Sequence, residues 1–191
     1  VCSSDLSDTT EHWAKDTVHN MGSRMIVQGT GGGKFSPDRD VTRAEFAAMI
    51  VRALGLGAEK GRSVFKDVQD AEWHNGAIRT AHGYGLLTGF ADGTFRPDDK
   101  ITREQAMVII ARAMAVTGLK DKLPDRPADV ILGRFADAAQ VSGWATGAIA
   151  DSVQAGIVSG RSGSLLDPQD NITRAEAAAM IERLLQKSGL I

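Results

Sequence analysis

Three arginines are the residues in this chain best placed to do chemistry. Arg43, Arg103 and Arg174 each follow a threonine, and each Thr-Arg pair begins 29 residues after a tryptophan, at Trp13, Trp73 and Trp144, which are the only tryptophans. The pairs open the patterns Thr42-Arg43-Ala44-Glu45, Thr102-Arg103-Glu104-Gln105 and Thr173-Arg174-Ala175-Glu176. Each fits a capping box, in which the threonine oxygen accepts from the N3 amide and the Glu or Gln side chain accepts from the N-cap amide. The arginines then fall at the first helical position, where unpaired amides and the helix dipole already supply positive partial charge. A cation gains little there, so its recurrence points to something negative held at the site. On this reading Arg103→Ala weakens anion binding and leaves thermal stability level or slightly raised.

The tryptophans admit two readings, as stacking surfaces for a sugar face or as core anchors. Gly29, Gly89 and Gly160 recur eight residues before Pro37, Pro97 and Pro168. Their simplest role is the left-handed exit of a helix, with close backbone approach to a ligand as the alternative. Thr42, Glu45 and their counterparts need no role beyond capping.

Other chemistry fails on spacing. Asp92-Gly93-Thr94-Phe95-Arg96-Pro97-Asp98 lacks the alternating acidic residues that a calcium loop places before its glycine. Gly29-Thr30-Gly31-Gly32-Gly33 has no preceding strand and no phosphate-binding signature after it. His12, His19, His74 and His82 show no metal-ligand clustering beyond the two-turn spacing of His74 and His82, and no Ser-His-Asp or Cys-His set repeats. No catalytic residue, metal or cofactor is expected.

The elements that must position these residues form a threefold repeat. In each repeat a first helix starts near the tryptophan, as in Trp73, Ala77, Ile78, Ala81, and ends in a glycine-rich exit. A tight turn follows, at Ala91–Phe95 in repeat 2, and Pro97 closes the loop. The second helix starts at the capping box and carries Phe46, Met49, Ile50, Ala53; Ala106, Ile109, Ile110, Ala113; or Ala177, Met180, Ile181, Leu184. The fold class read from this is mainly α: three helix–loop–helix repeats at 1–55, 64–115 and 134–191, joined as one module around a central three-helix bundle. The slack between repeats falls in Gly55–Ser63 and Ala115–Arg134, where prolines argue for an extended connector followed by a short helical turn.

Composition bounds the partners. With 22 basic and 24 acidic residues the formal charge is −2, which supplies no field to draw in nucleic acid or an anionic membrane. No run approaches the ~20 apolar residues of a membrane span, and membrane insertion is not expected. Cys2 is the only cysteine, which excludes an intramolecular disulfide. It lies in Val1–Leu6, a stretch that reads as a translated library adapter.

Phe65-Lys66-Asp67-Val68, Trp73, Gly89-Phe90-Ala91-Asp92-Gly93-Thr94-Phe95-Arg96-Pro97 and Thr102-Arg103-Glu104-Gln105 together resemble the S-layer homology repeat. Repeat 1 matches with Leu6-Ser7-Asp8, Trp13 and Thr42–Glu45, and repeat 3 with Phe135-Ala136-Asp137, Trp144 and Thr173–Glu176. The resemblance implies a pseudo-threefold, three-pronged module whose grooves hold a secondary cell-wall polymer with pyruvylated N-acetylmannosamine, at the extracellular face of the cell wall. It gives the anion contact to Arg43, Arg103 and Arg174 and loop contacts to Gly29, Gly89 and Gly160. Asp8, Asp67 and Asp137, with Trp13, Trp73 and Trp144, then shape the grooves. Repeat 1 has Gly32-Gly33 for Asp92-Gly93, and repeat 3 has Gly163-Ser164-Leu165-Leu166 for Asp92–Phe95, so unequal grooves are expected. A cargo domain is expected to precede the repeats in a larger protein. Two rivals compete with anchoring: a wall-active glycosidase using Glu45 and Glu176, and a lattice protein that self-assembles without glycan.

Overall fold

Short-range signals set the helices. A computed structural model describes residues 6–161 and 163–191; the rest of the adapter-like stretch, Cys2 included, lies outside the described residues. The chain is mainly helical: α1 Lys15–Ser23, α2 Arg43–Ala53, α3 Asn75–Gly83, α4 Arg103–Val116, α5 Ala128–Leu132, α6 Thr146–Gln154 and α7 Arg174–Lys187. The first helix of every repeat starts two residues after its tryptophan. All three capping boxes form: Thr42 Oγ1 accepts from the Glu45 amide at 3.2 Å, Thr102 Oγ1 from Gln105 at 3.3 Å and Thr173 Oγ1 from Glu176 at 3.2 Å. In return the Glu45, Gln105 and Glu176 side chains accept from the threonine amides. Thr102→Ala removes one such acceptor and is expected to cost about 0.5–2 kcal/mol of stability, read as a lowered denaturant midpoint.

Two compact units form, Val1–Ile101 with Ile172–Glu182, and Thr102–Asn171 with Arg183–Ile191. In the first, α2 packs on α3, and Ala44, Phe46, Ala47, Ala48, Met49, Ile50 and Val51 are all buried. A helix covered on every side needs small residues where its neighbours cross, which the alanines supply. Just before the capping boxes, Val41, Ile101 and Ile172 close a ring of backbone hydrogen bonds: Val41 N–H to Ile172 O, Ile101 N–H to Val41 O and Ile172 N–H to Ile101 O, at 3.0–3.2 Å. One residue from each repeat thus satisfies the next with no strand longer than a bridge.

The Gly55–Ser63 connector is fixed against α3. Thr80 Oγ1 donates to Gly57 O and accepts from the Glu59 amide, both at 2.9 Å, and Asn75 Nδ2 donates to Gly61 O. In the second unit α4 packs on α6 and α6 on α5, burying Met107, Ile110, Met114, Leu132 and Ile149. Here α4 runs to Val116, beyond the start of the expected connector, and α5 supplies the expected short turn after the prolines.

Candidate functional site

Each repeat carries a loop between its helices, and an aspartate holds it. The Asp8 carboxylate accepts from the Phe35 and Ser36 amides at 2.9 and 2.7 Å. Asp67 accepts from Phe95 and Arg96, both at 2.7 Å, and Asp137 from Leu166 and Asp167 at 2.8 and 2.7 Å. The second amide in every pair belongs to a non-glycine residue with positive φ: Ser36 at 57°, Arg96 at 57° and Asp167 at 48°. A left-handed L-residue costs roughly 1–2 kcal/mol, and the following proline already excludes the ordinary helical well. The two charge-assisted bonds offset that strain. These aspartates therefore shape the loops from inside.

Burial corrects the expectation that the three arginines are dispensable to the fold. Arg43, Arg103 and Arg174 are only 8%, 2% and 5% exposed. Arg43 Nε donates to Phe95 O at 2.8 Å and Nη2 to Thr88 O at 3.4 Å. Arg103 Nε donates to Leu166 O at 2.7 Å and Nη2 to Ser159 O at 3.5 Å. Arg174 Nε donates to Phe35 O at 2.9 Å, Nη2 to Gln28 O at 2.7 Å, and Nη1 reaches Glu45 Oε1 at 3.4 Å. The order is cyclic: the arginine of repeat 1 takes the loop of repeat 2, that of repeat 2 the loop of repeat 3, and that of repeat 3 the loop of repeat 1.

The helix amides are engaged as well. Arg43 N–H and Ala44 N–H donate to Asp99 O and Pro97 O, Arg103 and Glu104 to Asp170 O and Pro168 O, and Arg174 and Ala175 to Arg39 O and Pro37 O, at 2.8–3.0 Å. The negative groups that the helix starts hold are therefore the carbonyl dipoles of a neighbouring loop. Arg43 and Arg174 also stack over Phe95 and Phe35, with the guanidinium 4.7 and 4.6 Å from the ring centres.

The glycines also differ from expectation. Gly29, Gly89 and Gly160 do not have positive φ; the left-handed helix exits lie four residues earlier, at Met25, Gly85 and Gly156, with φ of 58°, 67° and 70°. There Ile26, Leu86 and Ile157 donate back to Met21, Ala81 and Ser152, the hydrogen bond of a Schellman exit. What demands glycine at the later positions is crowding. A Cβ on Gly89 would overlap the Phe65 ring and stand 2.7 Å from Thr94 O; on Gly160 it would meet Leu165 O at 2.8 Å, and on Gly29 Lys34 O at 2.9 Å.

Trp13, Trp73 and Trp144 are 64%, 64% and 61% exposed, which rules out the core-anchor reading. In the first compact unit Trp73 borders an open groove with Gln28, Gly29, Thr30, Met49, Arg52 and Arg174, and Glu45 and Ala48 complete its lining. Sequence reasoning reaches Gly29, Trp73 and Arg174 but misses Arg52. The available signal is an arginine nine residues after each helix-starting one, at Arg52, Arg112 and Arg183.

Charge in the groove disfavours acid–base work. Burial alone would raise the Glu45 carboxyl, but the Arg39 guanidinium at 2.5 Å, the Thr42 amide and Arg174 outweigh it and hold the group below its ordinary value. A glycosidase acid needs the opposite shift, and the equivalent position in repeat 2 is Gln105. Among the described residues no group of three or more His, Cys, Asp or Glu side chains could hold a metal ion.

Asp8 is also lowered, because the Phe35 and Ser36 amides together with Lys34 outweigh its desolvation. A carboxyl lowered in the folded state stabilises fully above its unfolded pKa and loses that contribution as pH falls through its folded value. Denaturant midpoints are therefore expected to stay level from pH 7 to about 5 and to fall below about 4. Asp8→Asn should lower the midpoint at pH 7 and make the acid decline shallower.

The S-layer homology domain model matches residues 5–47, 64–107 and 134–178, more than half of the chain and one match in each repeat. The chain belongs to the S-layer homology family. Among its relatives is an amylopullulanase of Thermoanaerobacterium thermosulfurigenes, 38% identical over 97% of this chain but only 10% of that protein. A cellulosome-anchoring protein of Acetivibrio thermocellus is 31% identical over 95% of this chain and 41% of its own length. A surface-layer 125 kDa protein of Lysinibacillus sphaericus is 30% identical over 91% of this chain and 14% of its own length. This S-layer homology chain thus spans about a tenth to two fifths of these relatives. Their names join one shared module to unlike remaining portions, and the family carries a surface-anchoring role.

Proposed function

We propose that this chain is a non-catalytic anchor that holds an exported protein to the bacterial wall by binding an acidic glycan, a secondary cell-wall polymer bearing pyruvylated N-acetylmannosamine. The observation that carries this reading is the groove of the first compact unit, whose lining combines an exposed tryptophan with two arginines. An indole offers an apolar face to a sugar ring and an N–H at its edge. Cations on the groove wall suit a carboxylate, in a protein whose net charge of −2 provides no general attraction for anions. In this reading Trp13 and Trp144 serve the other repeats as Trp73 serves this groove. Gly29, Gly89 and Gly160 let the loops lie close against their own repeat. Arg43, Arg103 and Arg174 hold those loops in binding shape and add positive charge beneath them, and Asp8, Asp67 and Asp137 fix the loop turns.

The cell surface is where S-layer homology proteins reside, and surface-layer and cellulosome-anchoring proteins are among the relatives. A covalently linked cargo domain fits relatives far longer than the chain. A second reading, self-assembly into a surface lattice without glycan, draws on the surface-layer relative.

Pull-down on purified walls separates the two. Walls with intact polymer should retain the chain, and walls stripped of polymer or lacking the pyruvyl group should lose at least about tenfold in binding. Retention should weaken with salt, as charge pairs near the surface are screened over about 8–10 Å at physiological strength. Equal binding to stripped walls would favour the lattice reading, and turnover of wall glycan by the chain would overturn the non-catalytic one.

A further inference from the structure

The three arginines nine residues into the second helices have the same register and different surroundings. Arg183 donates from Nη1 to Ile157 O at 3.3 Å, and Arg112 is also engaged by a neighbour. The Arg52 guanidinium makes no hydrogen bond or ion pair with any described residue, although it is exposed and lines the groove beside Trp73.

A helix-end arginine is ordinarily accounted for by water and the dipole, since a cation in the last turn of a helix is favoured. That account is incomplete here. Burial by the groove walls disfavours the charged form of Arg52, and Glu45, the acid in the same lining, is paired with Arg39 and Arg174. A partly desolvated cation without a counter-ion is an electrostatic site that an incoming anion completes. Arg174, the other cation of the groove, bonds through Nε, Nη1 and Nη2 to Phe35 O, Glu45 and Gln28 O. Its charge is already shared with protein oxygens, while the fork of Arg52 is open.

We propose that Arg52 is the residue that receives the carboxylate of the glycan in this groove, with Trp73 against the sugar ring and Arg174 as the positioning residue that holds the Gln28–Phe35 loop. This rests on the glycan-binding reading above and assigns its charge contact to a different arginine from the one the helix-start pattern suggests. It also makes the three repeats unequal: among the described residues, only in repeat 1 is the ninth-position guanidinium without a protein partner.

The test is calorimetric titration of the full chain with pyruvylated N-acetylmannosamine, beside the same sugar without pyruvate, with a melting curve for every variant. Arg52→Gln should remove one site or weaken it at least about tenfold, the scale of a lost charge-assisted hydrogen bond, while the melting temperature stays level. Arg52→Lys should recover part of the loss, because an ammonium keeps the charge without the planar fork. Arg112→Gln and Arg183→Gln should titrate like the parent. For the sugar without pyruvate, parent and Arg52→Gln should be indistinguishable. If the parent binds the pyruvylated sugar and Arg52→Gln binds it equally well, this assignment is overturned and the anchoring function stands. If the parent binds neither the sugar nor intact walls, the anchoring function falls and the assignment with it.

Discussion

Arg103→Ala should lower the stability of the protein by about 3–5 kcal/mol, a shift of roughly 6–20 °C in melting temperature for a chain of this size. The guanidinium is 2% exposed and donates to Leu166 O and Ser159 O, so truncation strands two carbonyls and leaves a void. Each unsatisfied buried acceptor costs about 1–3 kcal/mol, and the lost packing adds to that. Arg103→Lys should recover only part, because a single ammonium cannot reproduce a planar fork directed at two oxygens. A thermal melt at neutral pH decides the matter. An unchanged midpoint for Arg103→Ala would mean that the side chain is solvated and the loop holds its shape without it.

Gly89→Ala is the second large effect, and it separates crowding from backbone freedom. Its Cβ would overlap Phe65, whose Cδ1 stands 2.7 Å away, and would also lie 2.7 Å from Thr94 O. The ring could swing aside only by giving up its edge-on contact with His82 and its contact with Phe95, and the carbonyl belongs to the loop itself. The expected loss is about 3 kcal/mol, at the upper end of overpacking effects. Gly160→Ala meets Leu165 O at 2.8 Å and the Phe135 ring at 3.1 Å, so it should cost less. Gly29→Ala, against Lys34 O at 2.9 Å and the end of Leu6 at 3.4 Å, should cost least. Gly83, the last residue of α3, has nothing within 4 Å of a built Cβ, and Gly83→Ala should be level or stabilising by up to about 1 kcal/mol. Urea unfolding of the four variants would expose the ranking, and equal effects at Gly89 and Gly83 would contradict it.

The order of these effects indicates which residues of the proposed glycan site also serve folding. The aspartate and glycine of one repeat and the arginine of another converge on each loop: Asp67 clamps two amides of Phe95–Arg96, Gly89 admits Phe65 beside it, and Arg43 of repeat 1 takes the Phe95 and Thr88 carbonyls from the other side. Substituting any of them should reduce wall binding through the shape of the loop. Arg52 and Trp73 stand apart, because they line the groove without holding the loop. Variants at these two positions therefore test the proposed recognition, and variants at Arg43, Arg103 and Arg174 report first on folding.

The loops also differ in ways that residue types foreshadow. In repeat 2, Asp92 is held at about 2 by the Thr94 hydroxyl, the Thr94 amide and Arg96, and Arg96 lies over the Phe90 ring at 4.1 Å. In repeat 1 the corresponding positions are Thr30 and Ser36, whose hydroxyls meet at 2.8 Å. In repeat 3 they are Arg161 and Asp167, within 3.9 Å, and Arg161 is held more closely by Asp170 at 2.8 Å. A stacked cation, a hydroxyl pair and an ion pair thus occupy one position next to the loop glycine.

What the amino-acid sequence determined by itself was everything set by neighbours a turn or two away. Thr102 and Gln105 are three residues apart, so the capping box and the start of α4 follow from local hydrogen bonding. The periodic burial of Phe46, Met49 and Ile50 follows from the pitch of a helix. The invariant 29-residue spacing from tryptophan to threonine identified the repeat, and the motifs within it carried the resemblance to the family whose model matches the chain. Tertiary structure decided the partners. Arg174 meets Phe35 O across 139 residues and Arg43 meets Phe95 O across 52, contacts that no local pattern encodes. A first-position arginine reads the same whether it faces solvent, a glycan or a carbonyl, because its helix supplies an identical dipole in each case. Only the loop brought over it from another repeat made it a buried tie, while the Arg52 guanidinium lines the groove without a partner among the described residues.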